Sequence, residues 1–331
     1  MRAVTQFVLR RLAIGLMTIW VISLVSFVII ELPPGDFVST YIAQLGQTGG
    51  IGSAEDLARL RADYGLDEPI AVRYVRWAWN VLHGDFGRSL DWGRPVADLI
   101  GERLGLTLAL AGMALAIAWL LALPIGVYCA ANRGSIGDYV FSTFGMVGVA
   151  IPNFLLSLAA LYIGFRYFNT DLGEVQSARY INAPPSLGKG FDLFSHLLVP
   201  AFILALASTA RLVRILRANL LDELEKPYVV TARAKGMREW QLILKYPTRV
   251  ALNPFVSTIG VVLPQLISGS VIVSLVLSLP TVAPLLLRAL QAQDMFLAST
   301  ILLILATLTV IGTMISDLLL AWLDPRIRLR A

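Results

Sequence analysis

Residues 250–287 read VALNPFVSTIGVVLPQLISGSVIVSLVLSLPTVAPLLL, 38 residues without one charged side chain. As a single helix rising about 1.5 Å per residue the stretch would be roughly 57 Å long, nearly twice the ~30 Å hydrocarbon core of a bilayer. It is too apolar for a soluble loop and too long for one span, so it must break. Pro264, Pro280 and Pro284 are the candidate breaks, because proline removes a backbone donor and clashes with the preceding turn. The simplest reading is a span that ends near Leu277, followed by an apolar hairpin or half-helix around 280–287 shielded from lipid by protein.

The rest of the chain agrees with the bilayer as solvent. Of 331 residues 57% are hydrophobic and 15% charged, too apolar a balance for a soluble domain. Residues 12–30 form a charge-free run preceded by Arg10 and Arg11. A signal peptide is the competing reading, but the run is long for one, and Glu31-Leu32-Pro33-Pro34 makes a poor cleavage site. Runs 104–132, 139–165, 193–210 and 295–316 are further spans. With 250–277 they make six, and they divide the chain into a cytoplasmic N-terminus (1–11), a first span (12–32), an extracytoplasmic cap (33–103) and a five-helix core (104–331). The cap holds ten acids against seven arginines. Ser53 and Asp56 match a capping box for a helix that Gly65 closes. Residues 70–82 predict a second cap helix with Arg73, Arg76 and Asn80 on one face. Its Tyr74, Trp77 and Trp79 suit either the headgroup layer or ordinary packing.

Just before the charge-free stretch, residues 227–254 read PYVVTARAKGMREWQLILKYPTRVALNP, the longest polar segment in the second half of the chain. Pro227 suits the first position of a helix and Gly236 the left-handed residue that ends one. A second helix is expected over about 237–246, stopped by Pro247, with Asn253-Pro254 marking return to the membrane. The first helix would carry small residues at Ala232 and Ala234, able to lie in a partner's groove, with Arg233, Lys235 and Arg238 selecting that partner by charge. A solvated basic loop at the headgroups is the competing reading. Basic residues at 2, 10 and 11, across 211–249, and at 326, 328 and 330 place both termini and this segment in the cytoplasm.

Catalytic chemistry finds no residues. The spans lack the chain of intramembrane carboxylates that marks proton or ion routes, so work must enter from outside them. Gly188-Lys189-Gly190 lacks the spacing of a phosphate-binding loop, and no Gly-x-Ser-x-Gly or His-Glu-x-x-His is present. His83 and His196 have no metal-ligand spacing, and Cys129, the single cysteine, permits no disulfide within the chain. The net charge of +5 is spread among loops in a pattern that fits membrane topology rather than nucleic acid.

At this point the residues resemble a family. Tyr228-Val-Val-Thr-Ala-Arg-Ala-Lys-Gly236 resembles the cytoplasmic signature of bacterial binding-protein-dependent ABC importers, in the dipeptide/oligopeptide/nickel permease branch. Arg10-Arg11-Leu12, Pro34-Gly35-Asp36, Tyr64-Gly65-Leu66-Asp67-Glu68-Pro69, Gly84-Asp85-Phe86-Gly87-Arg88-Ser89, Arg94-Pro95-Val96 and Asp324-Pro325-Arg326-Ile327-Arg328 are similar to that branch in the same order. The resemblance implies an all-α membrane protein, the type I importer permease fold, with six transmembrane helices and both termini cytoplasmic, in the bacterial inner membrane. It assigns coupling to an ATPase to Tyr228, Thr231, Ala232, Arg233, Ala234, Lys235 and Gly236, within a cytoplasmic segment at 218–250. Implied partners are a homologous permease, two ATPase subunits that carry ATP and Mg, an extracytoplasmic substrate-binding protein and membrane lipid. The chain itself would hold no cofactor or metal, bind no nucleic acid and catalyse no reaction. Peptides are the expected cargo; oligosaccharides or another small solute, and a scaffold that transports nothing, are the alternatives. Two positions depart from the family. Val230, Thr231 and Ala232 stand where importers have Glu-Ala-Ala, and Ser274 with Leu279-Pro280-Thr281 stands where the branch has a glutamate and a Trp-Pro-Gly turn.

Overall fold

The computed structural model describes residues 2–32, 65, 67–170, 172–181 and 183–323. The motifs at 34–36 and 324–328 and the capping box of Ser53 and Asp56 lie outside these residues. Gly65 does take the left-handed conformation expected of it, at φ +64°. Among the described residues the chain is helical, with no strand and one isolated bridge, Arg88 to Pro95.

Helix α1 (Arg2–Glu31) and α2 (Ile70–Leu82) come first, α2 with the bounds that its sequence predicts. α3 (Val96–Ala131) follows, then α4 (Ile136–Ala150), capped by Ser135, whose Oγ accepts the Asp138 N–H at 3.2 Å. The expected single span over 139–165 is instead two helices, α4 and α5 (Asn153–Ile163), the latter prolonged by a π-turn (Gly164–Phe168). They meet at 96°. Ile151 is extended at φ −85°, ψ 120° because Pro152 follows it, and a residue before proline is driven out of the helical region. α6 (Leu187–Leu224) is the longest described helix, 38 residues.

The charge-free stretch breaks in two places. α9 (Pro247–Ser257) and α10 (Ile259–Val276) divide at Thr258, and α10 runs through Pro264. The expected end near Leu277 is found there, with Ser278 left-handed at φ +55°. α11 (Val282–Gln291) is the short apolar helix foreseen after Pro280, and Pro284 sits in its first turn, where a missing N–H costs nothing. α12 (Met295–Leu323) closes the described chain. Four of these helices are long and apolar enough to cross a membrane, five if the bent pair counts as one span.

Two compact units result. One comprises Met1–Leu9, Leu108–Leu279 and Ile311–Ala331; the other comprises Arg10–Thr107 and Pro280–Val310. In the second unit, Phe27 of α1 packs on Tyr74 and Trp77 of α2 at ring-centroid distances of 5.5 and 5.6 Å. Trp77 is buried and Trp79 is 64% exposed, so ordinary packing claims the first ring while the second is free to meet headgroups. Glu31 and Arg73 pair at 2.5 Å nearby. The Gly84–Ser89 motif also acquires a physical reason in this unit. Gly87 turns at φ +76°, and the Ser89 hydroxyl donates to Asp294 Oδ2 at 2.5 Å. Asp294 also accepts the backbone N–H groups of Asp91 (3.2 Å) and Leu297 (3.1 Å), which offsets the cost of a fully buried carboxylate.

Candidate coupling site

In the first unit, α6 outruns its apolar portion and hands the chain to three short helices. Lys226 is extended at φ −69°, ψ 148°, as a residue before proline must be, and Pro227 opens α7 (Pro227–Ala234) at its first position. Val229 is fully buried and anchors α7. Tyr228, Thr231 and Lys235 recur at spacings of three and four and are all exposed, so they line one outward face. The Tyr228 hydroxyl donates to Glu223 Oε2 of α6 at 2.6 Å. Burial, and then that carboxylate, push its phenol up to about 12, so it remains a donor at every physiological pH. Thr231 Oγ donates back to the Pro227 carbonyl at 2.9 Å.

The end of α7 is a Schellman turn. The Gly236 N–H reaches the Arg233 carbonyl at 3.0 Å and the Met237 N–H reaches that of Ala232 at 3.4 Å, with Gly236 at φ +81°. Across this turn Arg233 grips Glu239 with two hydrogen bonds, Nε to Oε2 at 3.1 Å and Nη2 to Oε1 at 2.6 Å. The guanidinium holds the Glu239 carboxyl below the usual carboxylate range. Both side chains are about half exposed, so the pair fixes the geometry of the turn more than it adds stability.

The second helix is shorter than the sequence predicts. α8 (Glu239–Lys245) begins two residues late and stops before Pro247 as expected, and Pro247 also opens α9 at its first position. α9 then runs unbroken through Asn253-Pro254, so these two residues do not interrupt the helix. Proline punctuates a helix in either direction, and only the neighbouring backbone decides which. α8 buries Leu242 and Ile243 and leaves Trp240 (54%) and Leu244 (58%) exposed; Val230 on α7 is 54% exposed. Exposed apolar groups this large, set among Arg233, Lys235, Arg238 and Lys245, mark a surface for contact.

Local reading misses a second feature. Asp138, at the start of α4, is buried and pairs in bidentate fashion with Arg217 of α6: Oδ1 to Nε at 2.8 Å and Oδ2 to Nη2 at 2.7 Å. The Gly134 N–H adds a third bond at 3.0 Å. The partners are 79 residues apart; the available signals are an acid in a tight turn and an arginine about two turns beyond an apolar run. Of the positions that depart from the family, Ser274 is fully buried with no partner for its Oγ among the described residues, and its carbonyl accepts the Leu279 N–H at 2.8 Å. His83 and His196 each bond the backbone carbonyl four residues before them, Trp79 and Asp192.

Residues 122–329 match the model of the binding-protein-dependent transport system inner membrane component. Residues 4–111 match the N-terminal model of the membrane component of the same systems. The chain belongs to this permease family. The permease is 34% identical to the oligopeptide transport system permease protein AppB of Bacillus subtilis, over 97% of this chain and 98% of that one. It is 30% identical to the dipeptide transport system permease protein DppB of Escherichia coli, over 98% of each. The permease is thus a multi-pass protein of the bacterial inner membrane, and its long apolar helices are the physical counterpart of that location.

Proposed function

We propose that the chain is the permease subunit of an ATP-driven peptide importer, and that it receives mechanical work at α7. The observation that carries the cargo class is similarity along nearly the whole chain to relatives named as oligopeptide and dipeptide permeases. In this reading the core at 104–331 crosses the membrane five times after the first helix, the cap at 33–103 lies outside, and both termini lie in the cytoplasm. A homologous permease completes the pathway, and two ATPases and a substrate-binding protein meet its two faces. ATP and Mg belong to the ATPases.

Tyr228, Thr231, Ala232, Arg233, Ala234, Lys235 and Gly236 form the dock. Where importers place a carboxylate, this chain exposes Val230, so apolar contact through Val230 and Trp240 replaces a charge contact. Closure of the ATPases pulls on α7, and α6 carries the displacement toward the spans. Purification from a host that expresses all the subunits tests this. The expected result is co-isolation with two ATPases and a second permease, with ATP hydrolysis stimulated by peptide-loaded binding protein. A chain that purifies without ATPases in mild detergent is a scaffold and refutes the proposal.

A further inference from the structure

Between α3, α4 and α6 of the first unit lies a cavity of about 510 Å³ that the coupling reading leaves unassigned. Ile125, Phe141, Phe144 and Leu206 wall it, and Arg214 and Arg217 stand at one end. Depth along α6 says what the groove spans. Its apolar run ends at Ala210, and Arg214 is one turn further, about 6 Å. The polar layer on each side of a bilayer is about 5–8 Å thick, so Arg214 sits at headgroup level when Ala210 ends the hydrocarbon. Leu206 lies about 12 Å along the helix on the hydrocarbon side.

The two arginines differ in what they still need. Arg217 is neutralised by the bidentate contact with Asp138. Arg214 is exposed and makes no hydrogen bond or ion pair among the described residues. A guanidinium at the mouth of an apolar slot calls for a ligand with a planar-accepting anionic head and a hydrocarbon tail. Basic residues between helices on the cytoplasmic side meet that need with anionic phospholipid.

We propose that this groove holds one anionic phospholipid of the cytoplasmic leaflet, its phosphate on Arg214 and one acyl chain along Phe141, Phe144 and Leu206. The proposal rests on the orientation given under Proposed function. Native mass spectrometry of the assembled complex, taken from bilayers of mixed phosphatidylglycerol and phosphatidylcholine, tests it. Wild type retains phosphatidylglycerol in preference to phosphatidylcholine. Arg214→Gln lowers that retention about fivefold, the loss of one basic residue's attraction for an anionic surface, and Arg214→Lys keeps most of it. Gly148→Leu is the second probe. Gly148 lines the groove and a Cβ there meets nothing within 4 Å, so a leucine that takes up groove volume is expected to displace the chain and lower retention of both lipids. Equal retention by wild type and Arg214→Gln overturns the proposal, as does equal retention of the two lipids. So does a wild-type complex with no lipid bound, which would mean that the second permease covers the groove. Assembly with the ATPases is read in the same spectra, so failure of the permease reading is seen separately from failure of the lipid site.

Discussion

At Gly236 the chain stands at φ +81° with open space on every side of an added Cβ. A substitution there is therefore resisted by backbone conformation alone, at about 1–2 kcal/mol for a residue with a Cβ, more for a β-branched one. That strain is relieved by undoing the Schellman turn, which would carry Arg233 away from Glu239 and tilt α7 against α8. Gly236→Val is expected to leave protein abundance normal, keep ATP hydrolysis and lower peptide uptake per ATP several-fold in proteoliposomes. Gly236→Asn, which tolerates the left-handed region, should retain most of the coupling. Wild-type uptake by Gly236→Val at normal abundance would refute the role given to this turn.

The elements behave differently, because what fixes them is contact rather than local conformation. The Asp138–Arg217 pair ties the start of α4 to the part of α6 that leads to the dock, with the aspartate 4% and the arginine 30% exposed. Removing one partner of a buried pair leaves an uncompensated charge, at about 3 kcal/mol for Asp138→Ala, while the double change Asp138→Ala with Arg217→Ala should cost less than the sum. Denaturant unfolding in detergent reads the difference, and full additivity would show that the two side chains do not act as a pair. This pair also marks how far the sequence is legible. Pro227 and Gly236 gave both ends of α7 because each has a conformational cause within one residue, and the pattern of 70–82 gave α2 for the same local reason. The breaks at Pro152 and Thr258 and the new helix that Pro247 opens were missed, since proline or a short bend can open, end or kink a helix according to what packs around it. Asp138 with Arg217, and Ser89 with Asp294, join residues far apart in sequence, and no periodicity announces them. The helix that carries Tyr228, Thr231 and Lys235 was legible as a stretch, yet Trp240 and Glu239, exposed beside it, lie on the next helix.

On the scale of the whole molecule the described helices offer four crossings, or five if the pair α4 and α5, bent by 96°, crosses as one span. If the bent pair crosses, Arg133 and Leu187 lie on opposite sides; if it is re-entrant, they lie on the same side. Cys129, the single cysteine, is fully buried, so Cys129→Ala yields a background on which one introduced thiol reports its own compartment. Arg133 is exposed and Leu187 is 96% exposed, so cysteine at either position is open to reagent. A membrane-impermeant maleimide added to intact spheroplasts is expected to label Leu187→Cys and to spare Arg133→Cys and Lys235→Cys until the cells are lysed. The orientation proposed above requires this order, since the excess of basic residues at the N-terminus and across 211–249 favours the cytoplasmic side for both segments. Labelling of 133 and 235 but not 187 would invert the orientation and put α7 out of reach of any ATPase. Equal labelling of 133 and 187 in intact cells would make the α4–α5 pair re-entrant and leave the chain one span short of six.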